Sequence, residues 1–258
     1  MKRRLVLIVL PLGLCLGLAG CNDNSESDDL AKAQACLDEI VEPNYSGADA
    51  CLTYVEKYSS QQANILKCSI YMTSGGLMET KIVKAYSTLK DSTITDSNRK
   101  MAFMAILSLD QPNLTSGLTK AENANTYCQA TDIPGLQYLS GVILAGTGLN
   151  KTIETVAGTT LSGSSSLTDI NNAVTTMLGD CGSTSPSANC DANLSTVGTA
   201  VATLSTTYCA TDGADGEICD QVKDAVSAAG SNATNLGQAM VCYLNGKTYN
   251  AATGGCSS

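Results

Sequence analysis

The sequence predicts an all-α protein, an array or bundle of short antiparallel helices stapled by disulfides. Three observations predict it. Apolar residues recur at helical spacing in segment after segment, with Gly, Pro and Asn between them. Twelve cysteines stand in a chain with no histidine. The chain has no Trp and one Phe, so its core must be built from Leu, Ile, Val, Ala and Met, with ten Tyr at the margins. Small side chains bury less area each than aromatic ones, and covalent cross-links offset part of the difference.

The elements follow in order. Leu30, Ala33, Leu37, Ile40 and Val41 form one helical face, capped by Asp28 or Asp29 and ended by Pro43-Asn44. Ala48, Cys51, Leu52, Val55 and Tyr58 mark a second stripe. Ala63, Leu66, Ile70 and Met72 mark a third, stopped at Gly75-Gly76. Met78, Ile82, Ala85, Tyr86 and Leu89 make a fourth seam, with Lys81, Lys84 and Lys90 expected away from it. The run Met101 to Leu109, "MAFMAILSL", is apolar nearly all round, as a central helix is. Leu114, Leu118, Ala121 and Cys128 give the next helix. A further one starts near Thr131-Asp132 before Pro134 and runs through "GLQYLSGVILAG". Gly158 to Ser166, "GTTLSGSSS", reads as a linker. Beyond it the segments are rich in Ala, Thr and Ser, yet four stripes keep the spacing. These are Leu167/Ile170/Val174/Met177, Leu194/Val197/Val201/Leu204, Ile218/Val222/Val226 and Leu236/Met240/Tyr243. The chain thus divides into a helical region at 31–158 with a repeat-like start and a second at 159–258 with cysteine-bounded loops.

Residues 1–20 look like an export signal. Lys2, Arg3 and Arg4 precede an apolar run from Leu5 to Leu18 that is too short to span a bilayer comfortably. The run ends in Leu18-Ala19-Gly20-Cys21, which resembles the lipobox of bacterial lipoproteins. That resemblance implies cleavage before Cys21, acyl chains on Cys21 (palmitate among them), and attachment to the membrane through lipid. It places the chain in the cell envelope, with the outer membrane facing the periplasm favoured over the inner. Residues 21–30 then read as the lipidated N-terminus and an acidic tether. Fully extended, Asn22 to Asp29 would reach roughly 26 Å.

Cysteine arithmetic agrees with export. Cys15 leaves with the leader and Cys21 goes to lipid. Ten remain: Cys36, Cys51, Cys68, Cys128, Cys181, Cys190, Cys209, Cys219, Cys242 and Cys256. An even set can close fully in an oxidising compartment. Connectivity is not deducible from sequence. Proximity pairs Cys36 with Cys51, Cys181 with Cys190, Cys209 with Cys219 and Cys242 with Cys256, which leaves Cys68 for Cys128.

A second resemblance is confined to about 31–90. "NYSGADACLTYVEKY", Asn44 to Tyr58, resembles the second half of a tetratricopeptide-type repeat, and "ANILKCSIYMTSGGL" the first helix of the next. Ala48 and Ala85 stand 37 apart, near that family's period of about 34. The small Gly of the first helix is absent, with Cys36 about there, and no Pro follows Tyr58. The resemblance implies a superhelix; an irregular bundle is the other arrangement the helices allow.

Charge and composition exclude more than they assign. The leader holds three of the fifteen Lys+Arg and none of the twenty-four Asp+Glu, so the remainder carries twelve against twenty-four, a formal net of −12. Such a surface does not bind nucleic acid by neutralising phosphates. Without histidine there is no imidazole base, no Ser-His-Asp triad and no imidazole metal ligand. Gly179 to Ser187, "GDCGSTSPS", lacks the Lys and the spacing of a P-loop. Asp212 to Glu217, "DGADGE", gathers carboxylates without the ligand spacing of an EF-hand and reads as a solvated turn. No acid pair stands out for glycoside hydrolysis. No enzyme, cofactor or metal site is therefore expected. Two functions remain: a lipid-anchored scaffold that holds an envelope protein partner, or a carrier of a small or lipidic ligand in a cavity between helices.

Overall fold

The helical series forms because each stripe above finds an apolar neighbour. In the computed structural model, which describes residues 24–93, 96–162, 165–210 and 217–257, the chain is almost entirely helical. Helix α1 (Asn24–Asp38) leads into a 3-10 helix (Tyr45–Cys51) continuous with a short α2 (Leu52–Val55). Then come α3 (Gln61–Ser74), α4 (Glu79–Leu89), α5 (Asp96–Ile106), α6 (Leu114–Gln129) and the long α7 (Pro134–Ala157). After them follow α8 (Leu167–Cys181), α9 (Ala188–Thr206), a 3-10 turn (Tyr208–Ala210), α10 (Glu217–Ala229) and α11 (Ala233–Leu244). Two short strands, β1 (Thr248–Tyr249) and β2 (Cys256–Ser257), pair antiparallel with Thr248 opposite Ser257. No helix among the described residues is long and apolar enough to cross a membrane.

Helix starts are fixed by short polar side chains. Ser60, Asn113, Ser166 and Asn232 each accept a hydrogen bond from the backbone N–H three residues on, satisfying an otherwise orphaned donor. Pro134 occupies the first turn of α7, where its missing N–H costs nothing. Gly158 ends α7 at φ +67°, the left-handed conformation that favours glycine.

The architecture is a bundle around α7. That helix packs against α5, α6, α8 and α9, and every residue from Ser140 to Asn150 is buried. Small residues let backbones touch. A Cβ added at Gly146 would lie 1.9 Å from the Met104 carbonyl oxygen. At Gly198 and Gly237, where α9 meets α11, it would lie 1.7 Å from the Ala233 oxygen and 1.9 Å from the Leu194 oxygen. One large core runs from Cys68 to Tyr249, so the segments before and after Gly158 share it. The linker itself is pinned. Asn150 accepts from Leu161 N–H at 2.8 Å and donates to Leu161 O at 2.6 Å, and Leu161 is fully buried. A smaller cluster of Ala33, Cys51, Val55, Leu66 and Ile70 joins α1 and α2 to α3.

The N-terminal part is tied differently. Lys67 donates to the Tyr58 carbonyl, Lys81 to the Ser108 carbonyl, and Lys120 to the Ser74 carbonyl at 2.9 Å and to Asp49 at 3.1 Å. Ser74 is the last residue of α3, and Ser108 lies just beyond α5. A cation there meets the carbonyls that a helix leaves unpaired and the negative end of its dipole.

Several sequence expectations change. Asn24 to Asp29, expected as tether, belong to α1. Asp29 holds this end of the helix by accepting from Lys32 at 2.8 Å and from Tyr58 at 3.0 Å while pairing with Lys57 at 3.0 Å. Helix α1 stops at Asp38, and Val41, expected on its buried face, is 66% exposed. The approach of Pro43 disfavours helix there. The stripe at 45–58 is largely 3-10 rather than α, so the repeat-like segment does not build a regular helical pair. Lys81, expected away from its seam, is buried, and its ammonium lies 3.0 Å from the Asp110 carboxylate. The inner face of α4 is Lys81, Ala85 and Thr88, turned by roughly one residue from the expected stripe. That turn leaves Tyr86 57% exposed.

Candidate functional site

Of the residues that the sequence singles out, Cys21 lies outside the described residues, as do the leader and Asp212 to Gly216 of the acidic loop. The ten other cysteines come together as five disulfides with the pairing that proximity suggests. These are Cys36–Cys51, Cys68–Cys128, Cys181–Cys190, Cys209–Cys219 and Cys242–Cys256, with Cα atoms 5.2–5.7 Å apart, within the usual span of a disulfide. They are structural joints, and the cysteines of all but the first and last bridge are buried at both ends.

The feature with the character of a binding site is an apolar groove of about 310 Å³ beside α4. Ile82 and Tyr86 form one wall because the inward turn of Lys81 moves them to the flank of α4. Phe103 and Leu107, from α5 and the residue just past it, form the floor. Tyr138, Leu139 and Val142, from the first turns of α7, form the other wall. Tyr86 meets Phe103 edge-on with ring centroids 5.7 Å apart, and Tyr138 lies against Tyr208 at 4.5 Å. Edge-on and tilted arrangements match the ring quadrupoles. Burial, then the neighbouring Tyr208 and Tyr86, pushes the Tyr138 phenol up to about 12. The phenol therefore stays protonated across the physiological range. Val83, 59% exposed, stands one turn before Tyr86.

Sequence reasoning missed this groove. Its signal was present: the chain's single Phe sits in the apolar run Met101 to Leu109, and two of its ten Tyr line the groove with it. What the pattern did not reveal was which flank of α4 faces out, because that depends on where Lys81 finds acceptors.

The groove's walls carry no nucleophile with an adjacent base and no pair of carboxyl groups. Among the described residues no three His, Cys, Asp or Glu gather as a metal site. What the walls offer is shape, apolar area and aromatic edges. Comparison of the chain with protein-family models, with curated proteins and with solved structures finds no match.

Proposed function

We propose that this chain is a lipid-anchored protein of the bacterial cell envelope that works by binding rather than catalysis. It holds an apolar segment of an envelope protein in the groove between α4, α5 and α7. The observation that carries the reading is the gathering of Tyr86, Phe103 and Tyr138 in one open groove of an otherwise aromatic-poor chain. Tyr and Phe are enriched where proteins meet, and exposed Tyr86 and Val83 have the form of anchors awaiting a partner. The Leu-Ala-Gly-Cys box at 18–21 supports the anchor. Attachment to one surface raises the effective concentration of a partner on it.

The carrier reading has less support. Helices that meet through Gly146, Gly198 and Gly237 leave little room between them, so a lipidic ligand would have to lie in the same groove.

The test is affinity isolation of the full lipidated chain from crosslinked cells, beside Tyr86→Ser. One stoichiometric envelope protein that Tyr86→Ser fails to recover is the expected result. Capture that ignores Tyr86→Ser overturns the assignment to the groove. A lipid in place of a protein moves the function to the carrier reading. Mass analysis of the same material reports acyl chains on Cys21, and an unmodified Cys21 overturns the anchor.

A further inference from the structure

A second concavity, of about 320 Å³, lies on the inner side of α4 and has the opposite chemistry. Its lining includes Tyr45, Thr80, Lys81, Asp110 and Gln111. Lys81 is the unusual member. It is 7% exposed, so its charge is almost wholly removed from water. Burial lowers its ammonium pKa, and Asp110 works against that shift. An ammonium has three donors. Lys81 meets two acceptors among the described residues, Ser108 O and Asp110 Oδ1, one fewer than its donors, and it lines the cleft.

The loop that carries Asp110 is held rigidly. The backbone N–H groups of Asp110 and Gln111 both donate to the Gly75 carbonyl, at 3.0 and 3.3 Å. Gln111 Nε2 donates to Asp110 Oδ1 at 3.3 Å, and Thr80 Oγ1 donates to Glu42 Oε1 at 2.6 Å at the cleft's edge. Gly76, at φ +92°, closes the wall: a Cβ there would stand 2.6 Å from Gln111 Cγ and push that side chain into the space.

We infer that this cleft is a binding site for one ring of a saccharide. The class follows from what the lining rejects. A small anion would meet Asp110 and, at the edge, Glu42; both carboxylates also raise the Tyr45 phenol after burial has done so, which marks the cleft as electronegative. A small cation would meet the buried ammonium of Lys81. An apolar body would strand the spare donor of Lys81 and the amide of Gln111, at a cost of about 1–3 kcal/mol for each unsatisfied group. A neutral polyol both donates and accepts at each hydroxyl, and so satisfies carboxylate, ammonium, amide and phenol together. The volume, at the low end for ligand pockets, suits one hexose ring.

The test uses the full lipidated chain in detergent with glucose, N-acetylglucosamine and maltotriose as probes, and with glycine and inorganic phosphate as counter-probes. Binding is read by saturation-transfer NMR and calorimetry. Expected is binding of at least one saccharide, weakened about tenfold by Gln111→Leu and by Thr80→Val, which stand at the mouth and leave Lys81 and Asp110 themselves in place. Tyr86→Ser keeps it unchanged, so the result stands apart from the fate of the aromatic groove. No saccharide binding overturns the inference, as does binding indifferent to both mouth variants. Preference for glycine or phosphate overturns the ligand class.

Discussion

The two ends of this molecule join helices by different means. From α1 to α6, long cations reach across to carbonyls at helix ends or in the connections between helices: Lys67 to Tyr58, Lys81 to Ser108, Lys120 to Ser74. From α7 to α11 the backbones themselves touch, through Gly198 and Gly237 between α9 and α11, and charge takes little part. Gly146, set against Met104, and Gly117 of α6, where a Cβ would lie 1.8 Å from the Leu109 oxygen, carry close backbone contact toward the first half as well. The difference shows that one fold class admits two kinds of joint. A lysine joint is adjustable and leaves clefts beside it, because a four-carbon stem holds helices apart. A glycine joint brings the backbones into contact instead. The polar cleft and the aromatic groove both lie beside α4, on the lysine-tied side.

The sharpest way to break the comparison is to remove one partner from the lysine side. Asp110→Ala leaves the Lys81 ammonium buried without its carboxylate, and a loss of about 3–5 kcal/mol is expected in chemical denaturation. Replacing both residues, Lys81→Met with Asp110→Leu, should recover most of that loss. Failure to recover would mean that the pair does more than neutralise itself.

On the glycine side, Gly198→Ala drives a methyl into the Ala233 carbonyl and should cost about 3 kcal/mol, the upper part of the range for overpacking. Gly179→Ala in α8 is the control. It meets nothing within 4 Å, and a glycine in a helix gives up about 0.5–1 kcal/mol to alanine, so its melting temperature should rise. Equal behaviour of the two variants would remove close approach as the reason for glycine here.

A smaller effect tests the groove by pH. The Tyr138 phenol sits at about 12 in the folded chain against an ordinary 10.0. A phenol with a raised folded value contributes stability that is present below pH 10 and is lost as pH climbs through 12. Tyr138→Phe should therefore flatten part of the alkaline limb of a stability–pH profile and leave the neutral region nearly unchanged. An unaltered limb would place the ring in water rather than in the groove wall.

The smallest effect lies at the start of α1. Lys32, then Lys57 and Tyr58, hold the Asp29 carboxyl well below the usual carboxylate range. Its contribution is present above the ordinary value of 3.8 and fades as pH falls through the depressed one. Asp29→Asn should make the acid limb shallower by a small amount, since these charges are exposed and screened by salt. Amide-exchange protection confined to α1 is the suitable measurement.

The helices themselves were legible. Stripes such as Leu194/Val197/Val201/Leu204 and Ala63/Leu66/Ile70 are buried as their spacing predicts, because burial of an amphipathic face is what fixes a helix in a bundle. The five bridges were legible by proximity. Less legible were the elements whose orientation depends on one distant acceptor. Lys81 turns inward because Ser108 and Asp110, 27 and 29 positions later in the chain, happen to wait there, and no local pattern encodes that. The aromatic groove and the polar cleft both follow from that single turn of α4. The strands β1 and β2 were missed for a related reason: two residues each are too few to show an alternation.

The five bridges also have an order. Read along the chain, each cysteine from Cys36 onward is joined to the next one not yet taken, and no bridge crosses or encloses another. A polypeptide threading out of a membrane pore presents its thiols one after another. If each is oxidised with the one that appears next, the native connectivity results with no reshuffling. In the exported chain proposed above, four of the bridges, which span only 9 to 15 residues, would close while the rest of the chain is still inside. Only Cys68 must wait, 60 residues, for Cys128. For such a chain the order of the cysteines already matches the native pairing, which asks for oxidation and not for reshuffling.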